Sequence, residues 1–377
     1  MQNPLKLVVR SAIAPILKRI GGEGSPRQQL RPKDAKKPAK ARKPRLSLAL
    51  QGGGSLGAYT WGVLDRLLEE KDIRFDAVSG ASAGAVNAVV LASGLAKGGP
   101  ARARESLENF WRSASHLAPR HAGGRASSGV LDLSTRFLSP YQFNPLNLNP
   151  LRPLLGEEVD FEELRQKPPL RLLIGATRVS DGRLRIFREH QLTRDVVLAS
   201  ACLPLLHQAV TIDGEAYWDG GYAANPPIMP LVAASRASDI LIVQIIPTEG
   251  EQLPKTSPQI IRRLDQMTFN NSLLHDLETL STMMQLAREE QGEGARLRKL
   301  RRLRLHRLSA EDSVGDLRRM SAFNLDWAFL TSLRDAGRDS ATQWLERRRN
   351  EEEGAHQGVE VSASRADKPQ PRNDAAS

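Results

Sequence analysis

The sequence predicts a single α/β domain with a mostly parallel sheet and helices on both faces. Apolar runs of strand length alternate with helix-period segments from residue 46 onward. Two of the strand-to-helix junctions carry glycine motifs, Gly52-Gly53-Gly54-Ser55-Leu56-Gly57 and Gly80-Ala81-Ser82-Ala83-Gly84. A third run, Asp239 to Ile246, is apolar and β-branched, as suits a strand covered on both faces.

The domain is expected to span residues 46–349, after a basic arm (1–45) and before a polar, disordered tail (350–377). Residues 1–45 hold 13 Lys and Arg against Glu23 and Asp34, a net charge of +11. The whole chain also nets +11, so the remainder balances at zero. Within the arm, Leu5, Val8, Val9, Ala12, Ile13, Ile16 and Ile20 fall on one side of a helical projection, with Pro15 as a kink. Residues 21–45 read as a disordered Gly-, Pro- and Lys-rich linker. This pattern suits a peripheral anchor on an anionic membrane, each basic residue adding about 1 kcal/mol. A solvated basic tail and a mitochondrial address are the competing readings. The arm has no aromatic residue for base stacking, so no nucleic-acid partner is expected.

Leu46 to Leu50 alternates as a strand and leads through the triple glycine to a helix from Ala58 to about Glu70. Such glycines let the backbone approach a ligand and turn N–H groups toward an anion. No Gly-Lys-Ser/Thr follows, which excludes a Walker loop, and the spacing does not fit a dinucleotide fingerprint. Phe75 to Val78 and the small-residue helix Ala83 to Ala92 enclose Ser82 in a G-x-S-x-G turn. That turn exposes a hydroxyl at a helix N-terminus. Arg112 to Pro153, rich in Ser, Pro, Asn and Gly, is expected to be a surface excursion of the kind that supplies lids. Ile260 to Gln291 is a long amphipathic helix with Leu264, Met267, Leu273, Leu274, Leu277, Leu280 and Met284 on its apolar face, expected to cover the core, with a lid beside the site as the competing reading. Arg296 to Arg307 alternates Arg with Leu and reads as a strand. Asn324 to Arg348 is a last amphipathic helix.

A nucleophilic serine needs a proton acceptor. His275 lies in the long helix, His306 in a strand-like run and His356 in the tail, and none sits in a loop that presents a catalytic group. Asp219 stands apart: Tyr217-Trp218-Asp219-Gly220-Gly221 ends an aromatic strand, and Asn225-Pro226-Pro227 excludes helix beyond it. An ordinary Asp-Gly turn is the competing reading.

These three motifs, in this order, resemble the patatin-like phospholipases. Gly175-Ala176-Thr177 with Asp181-Gly182, and Ala199-Ser200-Ala201-Cys202-Leu203-Pro204, look like further segments of that family. The resemblance implies a patatin-like three-layer fold and a lipid acyl hydrolase. It implies Ser82 as nucleophile and Asp219 as base, with Gly80 and Gly84 shaping the elbow. Gly52, Gly53 and Gly54 would form the oxyanion hole, Gly53 and Gly54 donating N–H groups and Gly52 shaping the turn. Leu56 departs from the pattern, because many members carry Arg or Lys there. Burial beside Trp218 and Tyr217 is expected to raise the basicity of Asp219.

The expected substrate is a phospholipid or lysophospholipid. Thioesters, stored polyesters or other acyl esters are the alternative, and a membrane-associated scaffold with little activity is the non-enzymatic one. No His or Cys cluster suggests a metal, and the mechanism needs no cofactor. The single cysteine, Cys202, excludes an internal disulfide and fits a cytoplasmic protein, peripheral at the membrane. It reads as core filler. Nothing in the pattern sets an oligomeric state.

Overall fold

The computed structural model describes residues 44–117, 139–250 and 253–366, apart from Gln291 and Glu293. The expectations for residues 1–43, for the middle of the Arg112–Pro153 excursion and for 367–377 lie outside the described residues. In chain order the strands are β1 (Arg45–Leu50), β2 (Arg74–Gly80), β3 (Arg171–Arg178), β4 (Leu184–Arg188), β5 (Val210–Ile212), β6 (Glu215–Asp219), β7 (Asp239–Gln244) and β8 (Arg304–Ser309). The helices are α1 (Gly57–Leu67), α2 (Ala83–Ser115), α3 (Pro140–Phe143), α4 (Leu151–Glu158), α5 (Phe161–Gln166), α6 (Arg194–Ser200), α7 (Ile228–Ala234), α8 (Ser257–Glu289), α9 (Ala295–Arg302) and α10 (Trp327–Ala366).

The sheet runs β5-β6-β3-β2-β1-β7-β8, with β4 on the far edge of β3. Strands β3, β2, β1, β7 and β8 pair in parallel, and β4, β5 and β6 join antiparallel. Side chains alternate between two cores, because neighbours along a strand point to opposite faces. Leu46, Leu48 and Leu50 of β1 and Leu241 and Val243 of β7 enter the core under α1 and α2. Ala49, Ile240 and Ile242 enter the second core, under α7, α8 and α9. This is the three-layer α/β arrangement expected.

One detail of register positions the site. Along a single edge of β3, Ser79 and Gly80 of β2 face Leu173 and Ile174, and two residues on, Asp219 of β6 faces Ala176. The end of β6 therefore lies just beyond the end of β2, at the carboxyl edge of the parallel strands, where open α/β sheets bind ligands.

Three elements differ from the sequence expectation. Arg296–Arg307 is not one strand. Leu297, Leu300 and Leu303 recur at helical spacing and pack into the second core, so α9 forms first and the strand starts only at Arg304. Helix α10 runs past residue 349 to Ala366, where a disordered tail was expected. Arg349 pairs with Glu70, just after α1, and no proline follows until Pro369. Helix α8 buries Leu273, Leu280 and Met283, yet Ile260, Ile261, Leu264, Met267 and Leu274 face outward. No described helix is long and apolar enough to cross a membrane.

Candidate active site

Ser82 occupies the turn from β2 into α2 with φ 53° and ψ −127°, a left-handed conformation that side chains with a Cβ adopt at a cost. Its surroundings hold it there. The Ser82 N–H donates to the Ser200 carbonyl at 3.0 Å and lies 3.2 Å from the Ser200 hydroxyl, which itself donates to the Gly175 carbonyl at 2.5 Å. Gly80 and Gly84 pack against each other across the turn. A Cβ on Gly84 would also collide with the Leu50 carbonyl, so neither position accepts a side chain.

Asp219 ends β6 and is fully buried. Its N–H donates to the Cys202 carbonyl at 2.8 Å, and its own carbonyl accepts the Thr177 hydroxyl at 2.7 Å. Its carboxylate Oδ1 accepts the Gly221 N–H at 2.8 Å. The other oxygen, Oδ2, is buried without a hydrogen-bond partner among the described residues. The Ser82 hydroxyl is near enough to this carboxyl to favour its charged form. Burial pushes the carboxyl up to about 7, against the smaller opposing pull of the Ser82 hydroxyl and the Gly221 N–H. Tyr217 is buried and Trp218 half-buried beside it.

The glycine loop lies directly against this turn: a Cβ on Gly52 would overlap Ala81 and the Ser82 side chain. Gly52 is not available as an oxyanion donor, because its N–H is engaged by Asn225 Oδ1 at 2.7 Å. It shapes the turn instead. The Gly53 and Gly54 N–H groups have no acceptor among the described residues, and Gly54 takes φ 57° with Ala322 packed closely against it. Ser55 N–H donates to the Ala322 carbonyl at 2.8 Å and ends the loop. Leu56 is buried in the main core.

The rest of the wall comes from α8. Phe269 packs on Gly221 and meets the Tyr222 ring with centroids 5.0 Å apart. Cys202 is buried, its thiol pushed up to about 12 by burial and then by Asp219, which suits a packing role. His306 bonds Asp239 at 2.9 Å, at the start of β7 and so at the opposite edge of the sheet from Ser82. His275 is exposed on α8, and His356 lies on the last stretch of α10.

Sequence reasoning did not single out Gln51, Asn225 or Asn270 as part of this site. All three are buried amides around the glycine loop. The available signal was a polar residue closing an apolar strand, Gln51, and one asparagine, Asn270, at the same helical spacing as buried Leu273 and half-buried Leu277.

Residues 48–232 match the family model described as patatin-like phospholipase. Uncharacterized protein YjjU of Escherichia coli (strain K12) is 25% identical over 232 residues, which is 61% of this chain and 58% of that protein. The chain thus matches under two thirds of that relative's length. Among solved structures, VipD from Legionella pneumophila is similar with a TM-score of 0.34 and 15% identity, over 78% of this chain and 67% of that one. The heterodimeric ExoU–SpcU complex from the type III secretion system of Pseudomonas aeruginosa is similar with a TM-score of 0.36 and 17% identity. That match covers 81% of this chain and 52% of that one.

Proposed function

Residues 48–232 belong to the patatin-like phospholipase family, and from that premise we propose that the chain hydrolyses lipid acyl esters with a Ser82–Asp219 dyad. The observation that carries the proposal is a fully buried Asp219 carboxyl with one unpartnered oxygen, near enough to feel the hydroxyl of Ser82 on its strained strand-to-helix turn. A carboxylate near pH 7 in basicity is matched to the working pH of a general base.

The steps follow from the atoms in place. Asp219 Oδ2 accepts the Ser82 hydroxyl proton as Ser82 Oγ attacks the ester carbonyl. The carbonyl oxygen becomes an oxyanion facing the Gly53 and Gly54 N–H groups, preorganised donors at a helix start. Collapse of the tetrahedral intermediate expels the alcohol, which takes the proton back from Asp219. Water, deprotonated by the same carboxylate, then attacks the acyl carbonyl; the Ser82 Oγ–acyl bond breaks, Asp219 returns the proton to Oγ, and the fatty acid leaves.

Phospholipid or lysophospholipid is the substrate class the family supports. The outward apolar residues Ile260, Ile261, Leu264 and Met267, on the helix that also walls the site, support an apolar, aggregated substrate. A carboxylic ester is the bond proposed, with thioesters as the competing class for the same dyad. The basic arm is proposed to hold the enzyme peripherally at an anionic membrane; deletion of residues 1–43 should weaken binding to phosphatidylglycerol vesicles.

The test is fatty acid release from phosphatidylcholine, lysophosphatidylcholine and acyl thioester, measured by mass spectrometry for wild type and Ser82→Ala. Release from the phospholipids by wild type alone is the expected result. Equal release by both proteins would overturn the reading, and release confined to the thioester would assign the competing class.

A further inference from the structure

The glycine loop has no side chains to hold itself in shape, and glycine samples more backbone conformations than any other residue. Something outside the loop must aim Gly53 and Gly54. Resting on the dyad reading above, we propose that Asn225 is a positioning residue of the oxyanion hole, clamping the Gly52 backbone so that the next two N–H groups face the reacting oxygen.

The clamp has two points. Asn225 Oδ1 accepts the Gly52 N–H at 2.7 Å, and Asn225 Nδ2 donates to the Gly52 carbonyl at 3.1 Å. The second Nδ2 hydrogen goes to the Phe269 carbonyl of α8 at 3.1 Å. Only a carboxamide offers an acceptor and two donors in this compact form. Asn225 is itself fixed: it is fully buried, and its N–H donates to the Ser272 hydroxyl at 3.0 Å.

Two further amides brace the clamp. Gln51 Nε2 donates to Asn270 Oδ1 at 2.8 Å and to the Asn225 carbonyl at 3.4 Å. Gln51 Oε1 accepts the N–H groups of Ile245 and Ile246 at 2.8 and 2.9 Å. Asn270 Nδ2 donates to the Pro247 carbonyl at 2.7 Å and to the Ile246 carbonyl at 3.4 Å. Every polar group of the three side chains is thus bonded, tying the ends of β1 and β7, the loop after Asp219 and helix α8 to one glycine. A satisfied buried network of this kind fixes one arrangement, and a half-satisfied one is costly.

The position of the clamp separates it from a general role in stability. It hydrogen-bonds the residue before the two free N–H groups, and its side-chain bonds go to neither Ser82 nor Asp219. Loosening it should displace the oxyanion donors and leave nucleophile, base and substrate pocket in place. Transition-state stabilisation then falls while ground-state binding does not.

The experiment uses the full chain and 4-nitrophenyl butyrate, a soluble ester, with a trifluoromethyl ketone that forms an oxyanionic hemiketal on the serine. Asn225→Asp keeps the acceptor, removes both donors and sets a carboxylate against two carbonyls. Its kcat should fall about 100-fold with KM within about twofold, since a small misplacement of a catalytic group has that effect. Ketone affinity should fall by the same factor as kcat/KM. Asn270→Ala, one step further from the loop, should show the same pattern with a smaller loss. Ser47→Ala removes a buried 2.8 Å bond to Ser235 at the other end of β1 and serves as the control for lost stability. Its Tm should fall while kcat and ketone affinity hold.

An active wild type whose Asn225 and Asn270 variants lose Tm but keep kcat and ketone affinity would overturn the clamp alone. A rise in KM without a fall in kcat would do the same. A wild type that neither hydrolyses the ester nor binds the ketone would overturn the dyad reading, and the clamp with it.

Discussion

Replacing Asp219 with Asn should inactivate the protein and at the same time stabilise it above neutral pH. The carboxyl stands at about 7 in the folded state against an ordinary 3.8. Below pH 4 it is protonated in both folded and unfolded chains, and stability is complete. Between 4 and 7 the unfolded chain releases the proton while the folded one retains it, so stability falls as pH rises. Above 7 the folded carboxylate is ionised too and the loss is complete. At about 1.4 kcal/mol per pH unit, the gap amounts to about 4 kcal/mol, of which about 3 falls between pH 5 and pH 8. Asparagine never ionises. Its Oδ1 keeps the Gly221 N–H, and its amide nitrogen takes the place of the unpartnered Oδ2. Urea unfolding of wild type and Asp219→Asn at pH 5 and pH 8 measures the difference. The variant should gain about 3 kcal/mol on wild type between the two pH values, while ester hydrolysis drops about 10³-fold for loss of a general base. A stability difference that does not change with pH would refute the burial argument, and retained hydrolysis would refute the role of the carboxylate.

Wild-type hydrolysis should rise with pH to a plateau, with half its maximum near pH 7; a rate independent of pH between 5 and 8 would contradict a titrating Asp219. Ser82→Gly should relieve the left-handed strain and raise stability by about 1 kcal/mol while abolishing hydrolysis, read by thermal unfolding. On α8, Leu273→Ala should cost about 2–5 kcal/mol and Leu264→Ala under about 0.5, because the first is buried and the second is 56% exposed. Burial would raise the Asp239 carboxyl, but His306 and Arg304 hold it well below the usual carboxylate range. The stability this contributes is present above the ordinary carboxylate range and lost as pH falls. His306→Ala should therefore lower stability with hydrolysis within about twofold of wild type, as suits a histidine outside the site.

Much of the candidate site's geometry was legible because its constraints are local. Ser82 needs a tight turn, and Gly80 and Gly84 announce it within five residues. Asp219 ends an aromatic strand at a glycine pair, which marks where the sheet stops. The pairing of β6 behind β2 on one edge of β3 is a long-range event that no single stretch records. The same holds for Asn225, which reaches Gly52 across 173 positions and reads locally only as a residue before two prolines. Helical period announces an apolar face on α8 but not how much of it finds a partner. Its second half meets α7 and α9, while Leu264 and Met267 meet nothing among the described residues that covers them. Arg–Leu alternation in α9 and β8 mimics one continuous strand, although the leucines of α9 recur every third residue. Charged residues after 349 resemble a tail, yet Glu and Arg are good helix formers and continue α10.

Whether Ser82 is the nucleophile is read from the mass of the intact protein after reaction with a fluorophosphonate probe. Wild type should gain one adduct, located on Ser82 by peptide mapping, and Ser82→Ala should gain none. Labelling of Ser82→Ala at the wild-type rate, or an adduct on another serine of wild type, would contradict the dyad.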